Sequence, residues 1–555
     1  MTMKKDFTFH ALIVVLIITF ITYYPSINNG FTTWDDQGYV TLNQHLKNNA
    51  ISDFFTKDKF VMGNYHPLTM ITYAIEYSIA GLNPQQYHID NFILHLLNTG
   101  LVFWFIFLLG GWQIAALVAM LFGIHPMHVE SVAWVSERKD VLYTFFYLAA
   151  LISYVRFFKS RNIVFYAITL LIFLLSLLSK GQAVTLPIAL VLIDYYFLKS
   201  INKYTFLNKT PFFVLSMLFG VIALYAQRSA NVFSSPITTA NKIITDQTNL
   251  FYKVGHFVFI FYERICYASY GFIMYIIKLL LPFNLSCFYP YPDKVNGLLP
   301  MIFYLMPLVL LGLVLLFFIK WRKNNRAVFG FCFFIFCITP VLQLLPVGSS
   351  IVSDRYTYLP SIGLFFIMAH IILHFSGYKF EDGKWNQNNF LNKRILVLSL
   401  VLLVFTSYSI AAYKQCKVWK DSETLFTHVL EKYPDVYYIQ YKLGYVYLNK
   451  GESCVAENKN ILHNFYFQKA IQCFTKAVSL NAKFSQAWQA LAFSYINIDK
   501  PDLALKNMNI AIGLTPNTAI LYNLRAEIYR QLKDVNSAII DEQKANRLNI
   551  VKCGN

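Results

Sequence analysis

Three clusters of polar residues interrupt an otherwise apolar chain, and each holds side chains able to move a proton or hold an anion. The first contains Trp34, Asp35, Asp36 and Tyr39. Adjacent carboxylates repel, so one of the two can keep a raised pKa and act as a base toward a hydroxyl while the other orients it. An Asp-Asp pair also reads as a helix N-cap with solvated charge. The second cluster runs from His125 through His128 and Glu130 to Glu137, Arg138, Lys139 and Asp140. By count, the two histidines and Glu130 could ligate a metal, but their spacing matches no strong pattern. Another division gives Glu130 an orienting role and Arg138 and Lys139 the oxygens of a phosphate, the arginine through its bidentate fork. A salt-bridge cluster at a membrane interface fits the same charges. The third cluster holds Ser353, Asp354, Arg355, Tyr356 and Tyr358. Arg355 and Arg138, if they share a face, suit a phosphate-bearing headgroup, with Lys180 as a third cation. His66, His125, His128, Trp34 and Tyr358 complete the candidate substrate contacts.

The elements that must position these residues are apolar helices. The chain has 555 residues, 56% hydrophobic and only 14% charged. That is too apolar for a soluble domain of this length. A net charge of +18 would suggest nucleic acid, but no basic domain with interleaved aromatics appears. Cytoplasmic loops of membrane proteins collect such charge. None of the eight cysteines forms a CxxC pair, so no zinc or redox motif is indicated. Lys4 and Lys5 precede an apolar run without a small-residue cleavage site, which predicts an uncleaved first span.

Candidate spans lie near 9–24, 89–110, 112–124, 139–158, 162–179, 182–198, 209–226, 256–281, 298–319, 327–345, 356–376 and 394–413. Lys4 and Lys5, Arg156 to Arg161, Lys199 to Lys209, Lys320 to Arg326 and Lys379 to Arg394 mark the cytoplasmic side. Alternation between these marks works if 256–281, which carries Glu263, Arg264 and Lys278, lies along the surface or is re-entrant. The N-terminus is then inside. The loops 25–88, 125–138 and 346–355 are outside, as is everything after about residue 414.

The last third repeats with a period of 34: Ala470, Ala504 and Ala538, then Ala477, Ala511 and Ala545. Trp488 pairs with Tyr522 and Tyr495 with Tyr529 at the same spacing. This is the tetratricopeptide pattern, about three and a half units. A polar insertion at 451–464 is expected to separate the two helices of the first full unit. Such arrays offer a concave surface to a peptide or protein.

Together the Asp-Asp after the first span, the block from His125 to Asp140, the block from Ser353 to Gly363 and the repeat tail resemble GT-C glycosyltransferases. In particular the chain resembles the transmembrane and tetratricopeptide-repeat O-mannosyltransferases and their bacterial relatives. The resemblance implies an all-α fold: a polytopic GT-C-like domain over 1–414, with about 11–13 membrane helices, and a repeat α-solenoid over 415–555. It implies transfer of a sugar, mannose being the candidate, from a polyprenyl-phosphate donor to a hydroxyl of a protein or glycan acceptor on the outer or lumenal face. Asp35 or Asp36 would activate the acceptor and Glu130 would align it. Arg138, Lys139 and Arg355 would bind the donor phosphate. A divalent metal is not required, and no nucleic-acid partner is expected. The bilayer is the third partner, with a bacterial inner membrane favoured over the endoplasmic reticulum. The rival reading is a non-catalytic membrane scaffold whose repeats recruit envelope or secretory proteins.

Overall fold

A computed structural model describes residues 2–47, 51–56, 60–229, 250–344, 348–381, 384–387, 391–456 and 460–553. Pro346 and Val347 of the third outer loop, and 457–459 of the polar insertion, lie outside the described residues. The chain divides into two compact units, Met1–Lys420 and Asp421–Asn555.

The first unit is a multi-pass membrane bundle. Seven helices are long and apolar enough to cross a bilayer: Phe7–Asn28, Pro84–Gly110, Val135–Ser160, Gly181–Leu198, Thr210–Arg228, Met301–Trp321 and Arg394–Val418. Trp112–Ile124 and Pro126–Ala133 form a further pair bent by 53°. The bend falls where Pro126 cannot donate to the preceding turn. Three shorter apolar helices, Ile163–Ser179, Asn325–Val341 and Ser361–Phe375, cover the remaining expected spans but one. Val135–Ser160 and Gly181–Leu198 are the most enclosed of the seven, and Met301–Trp321 buries only 6% of its apolar window, leaving its side chains to lipid. Asn325–Ile338 and Ser361–Phe375 cross at Gly330 and Gly363, where a Cβ on either residue would strike the other's backbone.

The expected span at 256–281 is part of one helix, Leu250–Leu280. Its partners explain its charges. Lys294 pairs with Glu263 at 2.8 Å, Tyr262 stacks on Tyr304, and Tyr267 meets Tyr291 edge-on at 5.1 Å. The Ser353 amide donates to the Tyr275 hydroxyl at 3.1 Å, and His125 Nε2 bonds the Leu279 carbonyl at 3.1 Å. Phe272 touches Phe334, one turn from the end of Asn325–Ile338. Most of these partners sit in connecting segments or in the helix turns next to them, while Tyr408, inside Arg394–Val418, donates to the Leu280 carbonyl at 2.7 Å. The only regular strands among the described residues are a small antiparallel hairpin, Tyr378–Glu381 with Lys384–Gln387.

The second unit is a stack of helical hairpins. Ser422–Lys432 is a lone second helix. The hairpins Tyr437–Ala456 with Asn460–Leu480, Ser485–Ile496 with Pro501–Leu514, and Ala519–Gln531 with Val535–Cys553 follow. The six alanines of the 34-residue period are all buried. They let paired helices approach, as does Gly444, whose Cβ would come within 2.6 Å of the Phe474 ring. The repeat extends to hydrogen bonds. Trp488 Nε1 donates to the Ala482 carbonyl at 2.9 Å, and Tyr522 Oη donates to the Pro516 carbonyl at 3.0 Å, six residues back in each case. The polar insertion does not part the first hairpin. Apart from the undescribed 457–459, it is helical and lengthens both arms.

Candidate active site

The first and second polar clusters are stapled together by Asp36. One of its carboxylate oxygens accepts from the Thr32 amide at 2.7 Å and the Thr32 hydroxyl at 3.0 Å. The other accepts from the Ser136 amide at 3.0 Å and from the Ser136 hydroxyl. Burial raises the Asp36 carboxyl to about 6, and these four hydrogen bonds hold it down against a larger rise. The cause is desolvation, not repulsion from its neighbour. With 1% of its surface exposed and both oxygens occupied, Asp36 is an anchor and offers no open lone pair to a substrate. Asp35 precedes the Gln37–Thr41 turn, is half-buried, and its charge acts on both Tyr39 and Lys139. Of the adjacent acids, Asp35 alone reaches the surface.

Arg138 is equally committed. It opens the helix Arg138–Ser160 but turns inward and pairs with Glu76 and the Asn91 side chain. It also donates to the Tyr87 carbonyl at 2.8 Å and lies 5.4 Å from the centre of the Tyr73 ring. Each guanidinium nitrogen donates inward, and the residue is 1% exposed, so it is turned away from solvent. Sequence reasoning missed Glu76. Its signal was a lone acid in the apolar run 67–80, which needed a buried cation.

The remaining charges form one network. Glu137 Oε1 lies 3.2 Å from Lys139 Nζ and 3.2 Å from Arg355 Nε, and Glu137 Oε2 lies 3.6 Å from Lys180 Nζ. Lys180 also pairs with Asp140, whose other oxygen accepts from the Ser131 hydroxyl at 3.2 Å. Glu130 is fully taken by Arg355, accepting from its backbone amide at 3.0 Å and from its guanidinium. A salt-bridge cluster does form, without the Arg138 expected beside Glu137, Lys139 and Asp140 and with Lys180, Arg355 and Glu130 joined to it, and it has an orientation. The carboxylate side chains of Glu137, Asp140 and Glu130 are 2%, 1% and 4% exposed, whereas Lys139, Lys180 and Arg355 are 11%, 16% and 17% exposed. Acids lie at the bottom and cations at the rim.

Aromatic rings frame this rim. Lys139 Nζ is 4.5 Å from the centre of the Tyr39 ring, and the Arg355 guanidinium is 5.4 Å from Trp134, which stacks on Trp419 at 5.3 Å. Trp34 meets Phe288 at 6.0 Å. Two polar atoms here have no protein partner, Trp134 Nε1 and His66 Nε2. His66 sits at the start of Pro67–Ala80 with its ring 5.3 Å from Tyr39. Burial, reinforced by Lys139, lowers His66 to about 3, so it stays neutral and its free nitrogen can bond a hydroxyl.

His125, His128 and Tyr358, expected to touch substrate, are instead interior supports. His128 bonds the Phe122 carbonyl at 2.8 Å and the Ser361 hydroxyl at 3.1 Å. His125 accepts from the Met127 amide at 3.3 Å while its other nitrogen bonds Leu279. The Tyr358 hydroxyl meets His95 at 2.8 Å and Asn98 at 3.2 Å. All three are fully buried. Buried histidines satisfied by backbone carbonyls serve packing.

No protein-family model matches the chain. It is similar in sequence to protein O-mannosyl-transferases. It is 28% identical to protein O-mannosyl-transferase F38B6.6 of Caenorhabditis elegans over 71% of this chain and 52% of that one. It is 23% identical to protein O-mannosyl-transferase TMTC3 of Homo sapiens over 91% of this chain and 55% of that one. The chain thus spans about half the length of these curated relatives. Among solved structures, an oligosaccharyltransferase of Archaeoglobus fulgidus is 15% identical and covers 74% of this chain and 55% of its own, with a TM-score of 0.43.

Proposed function

We propose that the loop face transfers a sugar from a polyprenyl-phosphate donor to a hydroxyl of a protein acceptor. The observation that carries this reading is the rim of three cations, Lys139, Lys180 and Arg355, drawn from three segments and raised above their buried acids. A network built only for stability has no reason to leave its cations toward solvent and its acids beneath. Such a rim suits the phosphate of the donor, which is also the leaving group, and fixed cations stabilise the charge that collects there. The similarity to protein O-mannosyl-transferases supports a protein acceptor and mannose as the sugar.

In this scheme the acceptor oxygen attacks the anomeric carbon as the bond from that carbon to the phosphate oxygen breaks. The electron pair leaves with the lipid phosphate, and the hydroxyl proton passes to Asp35. A single displacement inverts the sugar carbon. Glu130 acts on Arg355 and not on the acceptor, because both its oxygens are occupied there. With the loop face outside, the side that the cation distribution of the sequence supports, the reaction runs on the periplasmic, extracellular or lumenal side.

The test uses the full chain in liposomes with radiolabelled mannosyl polyprenyl phosphate and a serine- and threonine-bearing peptide. Asp35→Asn should lower transfer by about 10²- to 10⁴-fold with an unchanged melting temperature. Full activity in that variant would remove Asp35 from the mechanism, and no transfer by the wild type to any hydroxyl acceptor would remove the reaction itself.

A further inference from the structure

On the face opposite the loops, three connections meet around a cavity of about 830 Å³. They are the turn after Pro84–Gly110, the end of Leu186–Leu198, and the link from Met301–Trp321 to Asn325–Ile338. Phe107, Leu109 and Phe197 give the cavity an apolar wall, while Lys199, Lys320, Lys323 and Arg326 supply charge, and no carboxylate is among its lining residues.

Cations are expected on this face, and several of them are already engaged. Lys159 donates to the Leu108 carbonyl at 3.1 Å, Arg156 stacks 4.9 Å from Trp104, and Lys209 pairs with Asp194. Among the described residues no acid or ring takes up Lys199, Lys320 or Lys323. Lys199 ends its helix in left-handed backbone, with φ +57°, where glycine is favoured. A lysine there keeps its side chain at a backbone cost. Three like charges converging on one cavity without a counter-charge repel one another, and an anion relieves them.

We infer that this cavity binds a phosphate group, with the apolar wall receiving the glycerol and first acyl carbons of a phospholipid. The site lies on the other side of the bundle from the cation rim, so it is independent of sugar transfer and its test does not use transfer as a readout.

The experiment is thermal unfolding of the full-length protein in detergent, titrated with dioleoyl-phosphatidylglycerol, with dioleoylglycerol, or with inorganic phosphate. Phosphatidylglycerol should raise the melting temperature by several degrees and dioleoylglycerol should not. Inorganic phosphate giving a smaller shift identifies a lipid headgroup as the source, and an equal shift identifies a soluble phosphate; either supports an anion site. The triple variant Lys199→Gln, Lys320→Gln, Lys323→Gln should need at least about tenfold more lipid for half the shift. If the triple variant does not fold, Lys320→Gln and Lys323→Gln singly should each weaken the response, and Lys203→Gln, whose lysine lies 5.4 Å from the centre of its neighbour's ring, should not. Equal shifts from the two diacyl lipids, or a response unchanged in the lysine variants, would overturn the inference.

Discussion

The loop face and the repeat array hold helices together with opposite materials. On the loop face the ties are buried charges between residues far apart in the chain. Arg138 reaches 62 positions to Glu76, and Arg355 reaches 225 to Glu130. In the array the ties are alanines, aromatic rings and near-neighbour hydrogen bonds, and its best ion pair, Arg525 with Asp541 at 2.7 Å, spans 16 positions. A buried ion pair is a poor way to gain stability, because desolvation offsets its Coulomb energy. It is a good way to fix charges in space. The array is built to stack, and the loop face is built to hold cations still.

That contrast is sharpest at Arg138. Arg138→Met leaves Glu76 buried without a partner and should cost about 3–5 kcal/mol, read as loss of thermal stability in detergent. Adding Glu76→Gln to it should recover much of the loss. A single variant as stable as the wild type would break the distinction between the two regions.

Asp36 comes next. Asp36→Asn exchanges an acceptor for a donor opposite Ser136 or Thr32 and should cost about 1–3 kcal/mol. The pH dependence has a definite sign. The folded carboxyl is raised from 3.8 to about 6, so the unfolded chain loses its proton first. The stability from that group is fully present below about pH 4 and is lost as pH rises through 6. The melting-temperature gap between wild type and Asp36→Asn should therefore widen from pH 6 down to 4, and a narrowing gap would contradict the assignment.

In the array, Ala504→Leu should cost a similar or smaller amount, about 1–3 kcal/mol from overpacking. Hydrogen exchange should show the loss confined to the neighbouring hairpins, because stacked repeats contact only their neighbours. Spread of the effect to the loop face would blur the comparison. The smallest effect belongs to Arg525→Lys, under about 1 kcal/mol, measured by the same thermal unfolding.

The two regions also differ in how far residue order reveals them. The array was legible because its contacts recur every 34 residues, so Ala504 and Ala511 announce each other. In helix Leu250–Leu280 the charged Glu263 marked the need for a partner, which Lys294 supplies from outside the helix. The loop face was legible only as a list of charged residues. Nothing local says that Arg138 turns inward while Lys139, its neighbour, turns out, or that Asp36 is tied down and Asp35 is not. Those outcomes depend on Glu76 and Ser136, which arrive from other segments. The histidines misled for the same reason, since the carbonyls that satisfy His125 and His128 belong to backbone and carry no residue signature.

Gly330 and Gly363 touch none of these charges, yet they govern them. The helix that begins at Ser361 starts six residues after Arg355, and its distance from its neighbour is set by two missing methyl groups. A side chain at either glycine acts as a wedge. It would part the two helices and tilt the short turn Asp354–Thr357, withdrawing the guanidinium from Glu137 and Glu130. The placement of charge on one face is thereby geared to backbone clearance within the bundle.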